Sequence, residues 1–140
     1  MKAICDDQMT LWVDGVQSGR TDNWATLLTL EIPATTGVLG IKCVNSGGGS
    51  YGIMATIQDV AGDDVLVTDN SWSCSNAADD GWENADFVEG ENWNAASYYN
   101  HPSYVSGDGQ WTSMSANRKN IWTNTAADST VYCRKSKGDN

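Results

Sequence analysis

Apolar and polar residues alternate most clearly near the start of the chain, and the rest of the sequence is read outward from there. From Cys5 onward Met9, Leu11 and Val13 fall on one side and Gln8, Thr10 and Asp14 on the other, the period of a half-buried strand. The run predicts one strand from Cys5 to Asp14, closed by the Asp14-Gly15 turn signal. Asp7 breaks the pattern. It has inward parity at the strand's entry, and an inward carboxylate needs a partner because burying an unpaired charge is costly.

Downstream, Val16 to Asn23 is polar and reads as a loop, and Trp24 to Ile32 reads as a strand stopped by Pro33. In Val38 to Asn45, Leu39, Ile41 and Cys43 share one face and Lys42 takes the other; the run breaks at the Ser46–Ser50 glycine loop. Ile53, Ala55 and Ile57 alternate next, and Ala61-Gly62-Asp63 turns the chain into Val65 to Thr68, so this half predicts an antiparallel meander. Residues 69–109 are looser, with a short helical turn at most between Ala77 and Ala96. Two strands then close the pattern, Lys119 to Thr123 and Thr130 to Lys135. Seven or more short strands without a sustained helical period predict an all-β, antiparallel β-sandwich spanning residues 1–140 as a single domain. Trp72 and Trp122, next to strand residues, are assigned to its core.

Composition narrows the function classes. The formal net charge is −10 and the sequence pI about 4.2, a field that repels nucleic-acid phosphates and anionic membrane surfaces. No apolar run reaches the length of a spanning helix, and residues 1–15 lack the continuous apolar stretch of a secretory leader. Four widely spaced cysteines, no C-x-x-C and one histidine fit disulfides better than zinc, which places the chain in an oxidising, extracellular setting as a secreted protein. Seven Trp and five Tyr against one Phe suit both a sandwich core and a wet binding face.

The order of the motifs is more specific than any one of them. Cys5-Asp6-Asp7, Leu11-Trp12-Val13-Asp14-Gly15, Gly40 to Asn45 with its glycine loop, Tyr51 to Ile57, Val67 to Ser75, Asn120 to Thr123 and Thr130 to Lys135 follow one another along the chain. In this order the chain resembles the jelly-roll carbohydrate-binding modules attached to bacterial α-L-rhamnosidases, within the galactose-binding-domain-like superfamily. The resemblance implies a jelly roll and a calcium-assisted sugar site carried by Asp6, Asp7 and Asn45, with Gly48 and Ser50 of the glycine loop beside them. The rhamnose-binding members have Asp-Asn where this chain has Asp6-Asp7, so one amide donor is absent and the sugar stays open between galactose-type and rhamnose-type.

Strand pairing leads to the same place. If the strand at Leu39 to Val44 runs antiparallel to the first, its end meets the first strand's start, and Asp6, Asp7 and Asn45 share one rim. These ligands are all oxygens, the chemistry calcium takes. The same pairing sets Cys5 beside Cys43, favouring Cys5–Cys43 with Cys74–Cys133 among the three possible connectivities. Each signal also has a plainer reading: Asp6-Asp7 as a turn capping backbone N–H groups, Asn45 and the glycines as an ordinary loop. Trp24, Trp82, Trp93 and Trp111 are packing residues or sugar platforms, and Asn100 and His101 are second-tier sugar contacts. No separated acid pair embedded in apolar sequence is present, so an enzyme is not expected. The expectation is a secreted, calcium-dependent lectin for neutral sugar, oligomeric if it agglutinates. The alternatives are a structural or adhesive extracellular domain, or a non-catalytic accessory module of a glycosidase.

Overall fold

The computed structural model describes residues 1–47, 49–99 and 114–136. Two antiparallel sheets pack as a sandwich. The strands are β1 (Lys2–Asp6), β2 (Gln8–Val13), β3 (Val16–Thr21), β4 (Leu28–Thr29), β5 (Val38–Val44), β6 (Gly52–Gln58), β7 (Asp64–Val67), β8 (Ser73–Ser75), β9 (Asn94–Ala95), β10 (Ser97–Tyr99), β11 (Asn120–Trp122) and β12 (Thr130–Ser136). One sheet has the order β10-β11-β6-β1-β4, with β7 also on β6; the other is β3-β2-β5-β12-β8-β9.

The stretch predicted as one strand is two, and they belong to different sheets. The chain turns back at Asp7: Lys2–Asp6 pairs with β6 whereas Gln8–Val13 pairs with β5 in the facing sheet, so Met1 meets Leu39, the partner of Val13, at the far end. Cys5, Met9 and Leu11 still share one core, because the interior lies between the sheets and is met from either side. The carboxylate parity is corrected too: Asp6 is the buried one, at 5% exposure, and Asp7 is only half-buried at the rim.

Further expectations are revised. Val16–Thr21 is a strand, the outer arm of a hairpin whose Asp14 and Gly15 both have positive φ, as a tight primed turn requires. Trp24 to Ile32 contributes only the two residues of β4. The first half is not a meander, since β5 and β6 lie in opposite sheets. Trp72 and Trp122 are fully buried, as their positions imply.

Both disulfides have the expected connectivity, although the strands of Cys5 and Cys43 face each other across the sandwich and do not pair side by side. Cys5–Cys43 ties one sheet to the other, and Cys74–Cys133 joins paired residues of β8 and β12. The outer faces are covered as well. Ile4 and Met54 meet Met114 and Leu27 outside one sheet, which is why β1 and β6 do not alternate cleanly in burial. Outside the other, Trp82 stacks on Trp93 and meets Trp12 and Tyr132 edge-on. Arg134 secures that layer, donating to the Trp82 and Asn84 carbonyls and to Glu89.

Candidate functional site

The antiparallel pairing of β2 with β5 sets Gln8 opposite Val44, so the residues before one and after the other meet. The Asp7 N–H donates to the Val44 carbonyl at 2.9 Å. Asn45 is anchored from the far side, its N–H donating to the Ser129 carbonyl at 2.7 Å. Asp6, Asp7 and Asn45 thus gather at one end of the sandwich.

Asp7 accepts from the Ser46 N–H at 2.9 Å and from the Ser46 hydroxyl at 3.2 Å through the same Oδ2. Its carboxyl is held below the usual carboxylate range, first by a hydrogen bond from the Asp6 carboxyl, then by the Ser46 and Gly47 donors, with partial burial opposing them. A hydrogen bond between two carboxyls requires a proton on one of them. Asp6 is the more buried of the two. The Asn45 side-chain oxygen accepts only a long 3.4 Å contact from the Gly47 N–H.

In the adjoining loop Gly49 has φ +91°, a conformation that favours glycine, and Ser50 is half-buried. Lys42 is not at this rim; its ammonium lies over the Tyr132 ring on the sheet's outer face. Gly48, Asn100, His101 and Trp111 lie outside the described residues. Among the described residues no three of His, Cys, Asp and Glu converge as a metal cluster would, so the candidate cation ligands there are two carboxyls and the Asn45 amide.

The structure adds neighbours that the sequence pattern did not reveal. Asn120, 1% exposed, donates to the Tyr51 carbonyl and lies against Gly52, the residue that pairs with Asp6. A polar strand residue between Lys119 and Ile121 was the available signal. At the same end, a polar concavity of about 190 Å³ lies where β8, β9 and the segment after β11 meet. Asn76, Asn92, Asn94 and Asn124 supply amides, Ser75, Thr123 and Thr125 hydroxyls, and Glu91 and Asp128 carboxylates. Asp128 is fixed by the Thr123 hydroxyl at 2.6 Å and by Asn76 at 3.3 Å, and its neighbour Ser129 is the residue that anchors Asn45.

Of the candidate stacking residues, Trp82 and Trp93 are each 6% exposed and committed to packing. Trp24 is 38% exposed, in the turn after β3, whose last residue Thr21 pairs with Met9 at this same end. The end therefore combines fixed carboxyls, many amides and hydroxyls, and an accessible indole.

Comparison with known proteins adds no assignment. No family model, curated protein or solved structure matches the chain.

Proposed function

We propose that this chain is a non-catalytic carbohydrate-binding domain of the extracellular space, a lectin that holds neutral sugar at the Asp6–Asp7–Asn45 end of the sandwich. The observation that carries the reading is the convergence at that end: two hydrogen-bonded carboxyls, the Asn45 amide and the amide- and hydroxyl-lined concavity beside them. Amides donate and accept and carboxylates accept, which suits the paired donor and acceptor roles of sugar hydroxyls. Exposed Trp24 adds an apolar face for a ring. The net charge of −10 favours uncharged glycans over sulfated ones. Two disulfides support the secreted setting. The jelly-roll assignment of the sandwich and the choice of galactose-type or rhamnose-type sugar belong to the same proposal and rest on the motif resemblance.

The all-oxygen donor set suits calcium, which Asp6, Asp7 and Asn45 would hold and which would offer open coordination positions to vicinal hydroxyls. One observation favours the plainer reading of a structural or adhesive domain: Asp7 already caps Ser46.

A glycan array with and without calcium, repeated with Asp7→Ala, separates the two. The lectin reading expects retention on galactose- or rhamnose-type sugars, release by EGTA and loss in the variant. Equal retention in all three conditions makes the rim architectural, and preference for sulfated polyanions refutes the neutral-sugar reading. Agglutination requires more than one site, so sedimentation alongside reports whether copies assemble.

A further inference from the structure

The opposite end of the sandwich has the contrary chemistry. Where β5 begins and β6 and β12 finish, the sheets stand apart and the segment from Thr29 to Gly37 crosses the opening, leaving a groove of about 1040 Å³. Leu30, Ile32, Leu39, Ile57, Val65 and Leu66 line it. Leu39 belongs to the buried core and Leu30, Ile32, Ile57 and Leu66 pack against it, while Val65 is 53% exposed, so apolar surface runs from the interior to solvent. Apolar surface left open on this scale marks a binding site more often than a packing fault.

Two buried polar side chains punctuate the lining. Thr36 is 4% exposed and its hydroxyl has no hydrogen-bond partner among the described residues, although a buried hydroxyl ordinarily has one. Lys135, 5% exposed, reaches the groove from β12. The charges around the opening balance, with Lys135 and the Met1 ammonium against Glu31 and Asp59. The groove thus offers an ion little net attraction, and the chain as a whole repels anions.

We infer that this groove binds an uncharged amphiphile, a molecule with a long apolar body and a single hydroxyl or carbonyl head that engages Thr36. The volume is at the upper limit of ordinary small-molecule sites, which accommodates an extended chain or a fused ring system. The site is independent of the sugar proposal, since it lies at the other end of the strands and shares none of its residues.

The test uses the whole protein and the neutral reporter N-phenyl-1-naphthylamine. Saturable fluorescence enhancement at one site per chain is expected, with displacement by dodecanol, much weaker displacement by dodecanoate and none by galactose. Thr36→Val removes the hydroxyl at nearly constant shape and lowers dodecanol affinity about threefold to tenfold while leaving the reporter's unchanged. Val65→Asp, at a half-exposed position that does not threaten folding, abolishes both without changing the melting temperature. Absence of saturable reporter binding, preference for dodecanoate, indifference to Val65→Asp, or a concentration-dependent dimer that excludes the reporter would each overturn the inference.

Discussion

Arg134→Met tests whether one buried cation holds the outer aromatic layer in place. Arg134 is 3% exposed and donates three hydrogen bonds, at 2.9 Å to the Trp82 carbonyl, 2.9 Å to the Asn84 carbonyl and 2.7 Å to Glu89. Its guanidinium also lies over the Phe87 ring. Methionine keeps much of the stem volume but none of the donors. The Glu89 side chain, 28% exposed, regains water, whereas the carbonyl of Trp82, a residue only 6% exposed, is left largely unpaired. Removing one partner from a buried, charge-assisted set costs about 3–5 kcal/mol. At roughly 3 °C per kcal/mol for a chain of this size, the melting temperature falls by about 9–15 °C. Calorimetry supplies the stability and near-ultraviolet circular dichroism the order of the indoles; Glu89→Gln, which keeps the two carbonyl contacts, costs about 1 kcal/mol or less. If Arg134→Met costs under about 1 kcal/mol and leaves the aromatic signal unchanged, the layer is held by ring packing alone.

Replacing either cysteine pair with serines removes about 4 kcal/mol of loop-closure stabilisation for separations of 38 and 59 residues, to be read from urea unfolding. Because the folded Asp7 carboxyl sits below its unfolded value, its contribution is complete above about pH 4 and disappears as pH falls further. Asp7→Asn is therefore less stable than the wild type at neutral pH, and their unfolding midpoints converge as pH falls below the ordinary carboxylate range. A constant difference down to pH 2 would exclude Asp7 as the source. Gly52→Ala places a methyl 1.7 Å from the Asn120 side-chain oxygen at φ +149° and gives little soluble protein. At Gly62, with φ +88° and open space, alanine costs only about 1–2 kcal/mol, and comparable soluble yields and melting temperatures for the two would contradict the close approach.

What was legible in the chain follows from which contacts leave a period behind. β5 and β12 pair in full register at the centre of their sheet, and their cysteines and aliphatics alternate visibly. β3 left no such mark. Gln17, Ser18 and Arg20 face solvent, and only the hairpin with β2 makes a strand of them. The break at Asp7 was masked because Cys5 and Met9 reach the same core from different sheets. The Asp6–Asp7–Asn45 meeting could be read because it depends on one pairing, Gln8 with Val44. The amide-lined concavity could not, since Asn76, Asn94 and Asn124 come from three segments joined by strands of two or three residues. The apolar groove was missed for a related reason: Trp24 to Ile32 has a strand's composition, but most of it bridges the sheets' open end.

The place of β12, inserted between β5 and β8, sets an order on synthesis. A ribosome delivers residues 130–136 after every other strand of that sheet. Until then β2 and β5 form one fragment and β8 with β9 another, each with an unpaired edge open to neighbouring chains. Cys74 waits through the same interval as a thiol while Cys5 and Cys43 are already available to each other and to it. The nascent chain thus passes through a stage that is both adhesive and redox-active, and only the arrival of Cys133 ends both conditions at once.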